Sequence, residues 1–190
     1  MIKQILIIDL EREYFDKCSL FDCGNSFINN FLISSDALDP DICHTYLLIG
    51  INDQEDLQNR NFEIIGFFSL AADVVMTLEQ DNVFFNGGAI RIKMFAIDNN
   101  YQKKRVNISN QEITYATVQL KICLNIIETI SKKHIGATYI VLNSTKEGKN
   151  LYLNKGGFEV LDENEDYRLA KIEEDYDCIS MIKQIRSEDY

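Results

Sequence analysis

Three consecutive basic residues, Lys103, Lys104 and Arg105, form the one run of like side chains with an obvious chemistry in this sequence. The rest of the chain is acidic, with 30 Asp and Glu against 19 Lys and Arg, so the run stands out from its surroundings. Ammonium and guanidinium groups bind phosphate oxygens, and a guanidinium can do so through two parallel hydrogen bonds. The run is therefore a candidate for a functional role, with an ordinary surface loop as the alternative.

The cysteines and histidines do not form the patterns that metal binding or thiol catalysis needs. The five cysteines are scattered without a C-x-x-C pair, and the chain has two histidines, His44 and His134. Zinc sites usually draw on closely spaced ligand pairs, and a catalytic thiol needs a neighbouring base. We therefore expect no metal site and reduced, mostly buried thiols. The cysteines are Cys18, Cys23, Cys43, Cys123 and Cys178.

The net charge of −11 limits which kinds of molecule the protein is expected to bind. Nucleic-acid binding relies on Lys and Arg to neutralise phosphates, so this balance argues against a large RNA or DNA footprint. It is compatible with a cationic substrate. The first residues carry only a short apolar run before Asp9, and no stretch reaches the roughly 18 apolar residues of a membrane span. The sequence predicts a cytosolic protein with no membrane partner.

Seven apolar segments are rich in β-branched and aromatic residues, which is typical of strands. The polar stretch 52–61, between the second and third segments, is predicted to be a hairpin loop. The predicted strands are 3–10, 45–51, 62–76, 87–98, 137–142, 158–161 and 178–185.

The clearest predicted helix follows the fourth strand. Ser109 and Glu112 form an S-x-x-E capping box, and apolar residues then recur every three or four positions over 113–130. Strands and helices alternate, and no repeat or Gly/Ser linker interrupts them, so we predict an α/β protein of one domain, residues 1–190. The other predicted helices are 27–32, with Asp22 or Asn25 as its cap, and 146–155.

Four short motifs lie in order between residues 20 and 160. In this order, and with these strands and helices, they resemble the GNAT N-acetyltransferase superfamily, most closely its toxin-like branch. The resemblance covers most of the chain. It implies a mixed, mostly antiparallel central sheet that is flanked by helices and splayed between its fourth and fifth strands. The motifs are F-D-C-G-N at 21–25 with Phe31-Leu32, G-F-F-S-L-A at 66–71, F-A-I-D at 95–98 with Tyr101-Gln102, and Leu151-Tyr152 with Gly157-Phe158.

The resemblance implies that acetyl-CoA binds in the splay as co-substrate. In GNAT proteins the backbone of the fourth strand pairs with the pantetheine arm, and the following loop holds the diphosphate. For several of these positions a structural role is the alternative: core strand, surface loop or helix cap. The residues implied to bind the cofactor are Phe95, Ala96, Ile97, Gln102, Lys103, Lys104, Arg105, Asn143 and Thr145.

Tyr152 matches the family's tyrosine that protonates the leaving thiolate. A phenol with a pKa of about 10 suits a thiolate of about 8.5. The alternative is a helix tyrosine packed against the sheet. No general base is evident, because Arg91 stands where some relatives carry a glutamate and an arginine cannot accept a proton at neutral pH. The amine would then lose its proton to water or to a carboxylate such as Asp73.

Two features depart from the GNAT pattern. The diphosphate loop usually reads Q-x-x-G-x-G/A, whereas residues 102–107 read Q-K-K-R-V-N, without either glycine. The capping box suggests a helix start near Ser109, and the basic run would replace backbone donors with charge. The spacing from Tyr152 to Gly157-Phe158 is one residue longer than usual.

Three functions are compatible with these features. The first is acetyl transfer from acetyl-CoA to a primary amine of a small molecule or protein, a cationic acceptor that the acidic runs 162–166 and 173–177 would attract unless they are merely solvated. The second is a toxin that acetylates aminoacyl-tRNA, which the 21–32 motif favours and the charge disfavours. The third is a GNAT fold without catalysis that binds CoA or a partner. The acceptor, the acyl group and the oligomeric state, a homodimer included, are left open.

Overall fold

The computed structural model describes residues 2–79, 82–108, 110–161, 167–169 and 178–185. Ser109 and both acidic runs of the sequence prediction lie outside these ranges. The strands are β1 (Gln4–Asp9), β2 (His44–Ile51), β3 (Glu63–Glu79), β4 (Asn82–Ile97), β5 (Arg105–Ile108), β6 (Gln111–Thr114), β7 (Ala137–Ser144), β8 (Glu159–Val160), β9 (Tyr167–Leu169) and β10 (Ile179–Gln184). The helices are α1 (Phe15–Cys18), α2 (Ser26–Leu32), α3 (Gln54–Gln58), α4 (Tyr115–Lys133) and α5 (Lys149–Leu151).

Eight strands form one mixed sheet in the order β1-β2-β3-β4-β7-β10-β8, with β9 paired to β3. β4 and β7 are parallel, as their connection through α4 requires, and the other pairs of known register are antiparallel. The β4–β7 ladder runs from Gly88 opposite Ala137 to Ile92 opposite Leu142. Both strands continue beyond it, to Ile97 and Ser144. Because β5 and β6 form a separate hairpin, β4 and β7 are the fourth and fifth strands of the prediction, and the predicted mixed, mostly antiparallel sheet is confirmed.

The chain forms two compact units. The first consists of Met1–Leu70 and Met94–Gln119, and the second of Ala71–Lys93 and Leu120–Tyr190. The single domain predicted over residues 1–190 stays a prediction.

Several aromatic side chains pack together in the core of the first unit. Phe67 of β3 is fully buried, with the ring of Phe21 edge-on at 5.3 Å and that of Phe31 stacked at 6.4 Å between centroids. The Asn25 side chain caps α2 by accepting hydrogen bonds from two backbone N–H groups of its first turn. Helical periodicity therefore placed α2 correctly, although Phe27, on the predicted apolar face, is 66% exposed.

The core of the second unit joins strands that are distant in sequence. Val75 of β3, Ala89 of β4 and Val141 of β7 are buried together, with Tyr139 and Ile182 packed against them. Neighbouring strands thus present small and branched side chains to one face, as the apolar runs of the sequence predict. Among the described helices, none combines the length and the hydropathy that crossing a bilayer takes.

Two local predictions are wrong. The helix predicted from the capping box begins at Tyr115, not near Ser109, because residues 105–108 and 111–114 pair as the antiparallel strands β5 and β6. Apolar and polar residues alternate in β5, and Asn110 adopts a positive φ of 64°, so hairpin chemistry outweighs the capping box. The predicted loop 52–61 contains the short helix α3, which begins with a capping box formed by Asp53 and Asp56.

Candidate functional site

In the first unit, the end of β4 carries the three residues predicted to pair with pantetheine. Ala96 and Ile97 are buried and Phe95 is half-buried. Two of their carbonyls accept hydrogen bonds from side-chain amides: Gln119 Nε2 donates to Ala96 O at 3.1 Å, and Gln102 Nε2 donates to Ile97 O at 3.1 Å. Side chains from α4 and from the following loop therefore fix the backbone at this strand end.

The loop after β4 is fastened to the F-D-C-G-N motif. The buried Asp98 carboxylate accepts a hydrogen bond from the backbone N–H of Asp22 at 3.0 Å, and Asn99 Nδ2 donates to the Asp22 carboxylate at 3.1 Å. Gln102 Nε2 also donates to Cys23 O at 2.9 Å. Two motifs that the sequence presents separately thus form one hydrogen-bonded structure, and the side chain of Gln102 holds the loop in place.

Within this network the Asp22 carboxylate also shapes its own segment. It accepts hydrogen bonds from the Gly24 N–H at 2.8 Å and from Asn29 Nδ2 at 2.8 Å. These bonds, the Gly24 one first, lower the pKa of Asp22, because they favour the ionised form. Gly24 adopts a φ of +86°, a conformation that residues with a Cβ rarely take, so the glycine of the motif is required by the turn.

The basic run is exposed, and two of its side chains have partners. The Lys104 ammonium lies 4.9 Å from the centroid of the Tyr101 ring, and Arg105 Nη1 lies 3.5 Å from Glu112 Oε2 across the β5–β6 hairpin. The Tyr101 hydroxyl in turn donates a hydrogen bond to Glu63. Exposed ion pairs contribute little to stability, so these side chains can turn to a phosphate at small cost.

The N terminus of α4 is a separate feature from the basic run. Thr114 Oγ1 accepts a hydrogen bond from Thr117 N at 3.2 Å and so caps the helix. The run ends at Arg105, which begins β5, so the paired strands β5 and β6 separate Lys103 and Lys104 from this helix start. The basic run is therefore followed by the β5–β6 pair and only then by the helix, not directly by a helix that starts near Ser109.

In the second unit, Asn143 and Thr145 lie at the end of β7 and just after it. Asn143 Oδ1 accepts a hydrogen bond from Ser180 Oγ at 3.1 Å. Thr145 Oγ1 accepts one from Gly148 N at 3.2 Å, and its carbonyl accepts another from Lys149 N at 3.1 Å. Thr145 thus closes the turn that leads into α5 but does not cap that helix, whose N-cap residue is Gly148.

Tyr152 is buried, with 7% of its surface exposed. It begins a single π turn, Tyr152–Gly156, that follows α5, and its carbonyl accepts a hydrogen bond from Phe158 N at 3.2 Å. The two rings pack edge-to-face with centroids 5.7 Å apart. Burial, and to a smaller extent the Cys123 thiol, raises the pKa of Tyr152 well above that of a free phenol. The hydroxyl therefore keeps its proton throughout the physiological range.

The comparisons with known proteins place this geometry in a fold. No family model matches the sequence, and curated protein sequences give no significant match. Solved structures do match. A tyrosine-to-phenylalanine variant of KacT is 16% identical, with a TM-score of 0.65 over 96% of this chain and 95% of that one. A tyrosine-to-phenylalanine variant of the toxin AtaT, bound to the C terminus of the antitoxin AtaR and to acetyl-CoA, is 17% identical, with a TM-score of 0.60 over 95% and 92%. AtaT complexed with acetyl-methionyl-tRNAfMet is 17% identical, with a TM-score of 0.60 over 87% and 94%.

The chain has a GNAT fold. The π turn explains how this fold accommodates the longer spacing noted in the sequence. A π turn holds one residue more than an α turn, and such turns occur frequently at functional sites. The turn Tyr152–Gly156 thus has room for the additional residue that the sequence comparison predicts, and Tyr152 is buried beside Phe158.

No residue of this GNAT fold is yet assigned as general base. Asp73 is the carboxylate suggested above as a proton acceptor, and Arg91 stands where some relatives carry a glutamate. The two form a buried ion pair, with side chains 8% and 6% exposed, respectively. Arg91 Nε and Nη2 each lie 2.5 Å from Asp73 Oδ2, and Asp73 Oδ1 accepts a hydrogen bond from Val74 N at 2.8 Å. Both oxygens of the carboxylate are thus engaged, and we do not assign Asp73 as the base.

Over the described part of the chain, no three His, Cys, Asp or Glu side chains are grouped to hold a metal ion. His44 Nε2 lies 3.0 Å from Asp9 Oδ1 in an exposed pair.

Proposed function

We propose that the chain is an acetyl-CoA-dependent N-acetyltransferase that acts on a primary amine. The observation that supports this proposal is the GNAT fold, shared over 95% of the chain with an AtaT structure that holds acetyl-CoA. The backbone of Phe95–Ile97 would bind the pantetheine arm, and Lys103–Arg105 the diphosphate. Gln102 would contribute by holding the loop, because its amide is engaged with Cys23 O and Ile97 O.

In this proposal the amine nitrogen attacks the thioester carbon of acetyl-CoA. A C–N bond forms, the C–S bond breaks, and the thiolate takes a proton from the Tyr152 hydroxyl. The proton released by the amine leaves to water or restores the phenol. The Tyr152 hydroxyl enters the reaction protonated, as a general acid must, and burial, which raises its pKa, makes it a weaker acid than a free phenol.

Aminoacyl-tRNA is a second candidate acceptor. AtaT complexed with acetyl-methionyl-tRNAfMet has a similar fold, and an aminoacyl ester carries a primary amine. The net charge of −11 opposes a large RNA footprint, so binding would depend on local cations such as the basic run. Growth arrest on expression, together with acetylation of charged tRNA in preference to free amines, would favour this acceptor.

Thermal unfolding with and without acetyl-CoA, combined with an assay for released CoA thiol, tests the proposal. At a hundred times its Kd, the ligand should stabilise the folded protein by about 2.7 kcal/mol. A shift with CoA release on addition of an amine supports the transferase. A shift without turnover on any amine supports a CoA-binding protein instead, and no shift contradicts both.

Reversing one charge tests the diphosphate site. We expect Lys104→Glu to weaken acetyl-CoA binding about tenfold at low salt, because a charge near a diphosphate contributes roughly 1 kcal/mol even when solvated. The effect should shrink as salt is added. Isothermal titration calorimetry measures it, and Lys121→Glu is the control, an equal charge change at an exposed position of α4. Equal affinity of Lys104→Glu and wild type at low salt would remove the loop from the cofactor site.

A further inference from the structure

Gln119 of α4 is a fully buried amide that serves two strands. Its Nε2 donates hydrogen bonds to Phe67 O of β3 at 2.9 Å and to Ala96 O of β4 at 3.1 Å. A primary amide carries two N–H bonds, so each carbonyl takes one. In a regular ladder a carbonyl faces an N–H of the neighbouring strand. Here two carbonyls share one side chain, so Gln119 supplies hydrogen-bond donors to both β3 and β4.

The oxygen of the Gln119 amide shows that this arrangement costs free energy of folding. Gln119 Oε1 is buried and has no hydrogen-bond partner among the described residues. It fits because residue 66 is glycine: a Cβ there would lie 2.2 Å from Gln119 Oε1 and 2.6 Å from Ala96 O. Buried polar atoms are nearly always paired, and an unpaired one in a native structure calls for an explanation. Stability alone does not explain a glutamine here.

The bonds at this strand end also fix the direction of its peptide groups. Asp98 N donates to Ile65 O of β3 at 2.9 Å, and Ala96 O is directed at the amide that also binds Phe67 O. Because successive residues of a strand turn their peptide groups to opposite edges, those of Phe95 and Ile97 face the edge away from β3. Gln102 then covers one group at that edge, Ile97 O.

We propose that Gln119 is a positioning residue for acetyl-CoA. Gln119 holds Ala96 O on the side of β4 that faces β3. It thereby fixes the position and direction of the Phe95 and Ile97 peptide groups at the other edge of β4, where the pantetheine arm would pair. This inference rests on the proposed function for its ligand. The part of the proposal that concerns the protein alone, that Gln119 orders the end of β4, does not depend on acetyl-CoA and is measured separately.

The experiment compares Gln119→Met, which keeps the length of the side chain and loses both donors, with Ile127→Ala. Ile127 is also buried in α4, so its truncation lowers stability without removing a bond to β4. Acetyl-CoA affinity is measured by calorimetry at a temperature where urea titration shows each protein folded. We expect Gln119→Met to bind at least about tenfold more weakly than wild type, and Ile127→Ala to bind within about twofold. Equal affinities of folded Gln119→Met and wild type would overturn the proposal.

Amide hydrogen exchange over residues 94–98 provides the readout that needs no ligand. Exchange should be faster in Gln119→Met than in Ile127→Ala when the two are compared at equal stability. If wild type fails to bind acetyl-CoA, the proposed function fails, and exchange still decides whether Gln119 orders the strand. Should Gln119→Met not fold, Gln119→Glu replaces it. In that variant a protonated carboxyl keeps one hydrogen-bond donor. At pH 5, amide exchange over residues 94–98 should therefore be slower than the intrinsic pH dependence of exchange predicts. A pH dependence that is purely intrinsic would overturn the positioning role.

Discussion

The Tyr152→Phe variant is expected to lose at least about 100-fold in kcat while binding acetyl-CoA within about twofold of wild type. The substitution removes only the hydroxyl oxygen. The phenylalanine ring can keep the edge-to-face packing with Phe158, so the π turn and the fold should persist. A loss confined to kcat is what the removal of a proton donor from the transition state produces. Steady-state kinetics and calorimetry measure the two quantities separately.

The pH dependence gives a second test of the same role. Burial raises the pKa of Tyr152, so the phenol stays protonated up to a higher pH than a free tyrosine, at about 10. Ionisation of Tyr152 should therefore cause no fall in kcat between pH 7 and 10. The free energy of unfolding should also depend on pH. Below about pH 10 the phenol is protonated in both the folded and the unfolded chain. As pH rises further the unfolded chain loses this proton first, so the free energy of unfolding falls.

Tyr139→Phe is the matched control for Tyr152→Phe. Tyr139 also lies in the second unit, packed against the cluster of Val75, Ala89 and Val141, and it has no assigned part in the chemistry. We expect its kcat to equal that of wild type. Full activity in Tyr152→Phe would eliminate the general-acid role, and an equal fall in both variants would point to packing in place of proton transfer.

The strands and helices that could be predicted are those whose residue pattern lies within the segment itself. Strands of eight or more residues appear in the sequence as apolar runs rich in β-branched and aromatic residues, and the 19-residue helix α4 shows a helical period, so their existence and order follow from the sequence. The boundary of α4 did not, because residues 105–114 satisfy two local rules at once. A capping box and a strand alternation compete there, and pairing of β5 with β6 decides between them.

The contacts that build the candidate site are long-range, and sequence reasoning missed them for that reason. Gln102 was assigned to the cofactor from its position in the diphosphate loop, whereas its amide bonds two backbone carbonyls, one of them in the distant F-D-C-G-N motif. Gln119 gave one signal: it is a polar residue between the apolar Val118 and Leu120 of an amphipathic helix. Only the carbonyls that it reaches show why a polar residue stands there.

Gly66→Ala is expected to lower the free energy of unfolding by about 2–4 kcal/mol. The added methyl carbon would lie 2.2 Å from Gln119 Oε1 and 2.6 Å from Ala96 O, so either the glutamine leaves its two carbonyls or β4 moves. Both outcomes leave buried carbonyls without donors. Urea unfolding measures the loss, and Gly136→Ala is the control, because a Cβ at Gly136 meets no atom within 4 Å.

A double-mutant cycle separates the two clashes. If Gly66 is glycine chiefly to seat the Gln119 amide, Gly66→Ala should cost less in a Gln119→Ala background, where the nearer of the two contacts is gone. The part of the cost that remains then measures the collisions with β4: with Ala96 O, which belongs to the backbone and cannot rotate away, and with Ile97 Cδ1, which would lie 2.8 Å from the added methyl carbon. Full additivity of the two substitutions would show that Gly66 and Gln119 act independently. In that case the glycine of the G-F-F-S-L-A motif would be required by the approach of β4 alone.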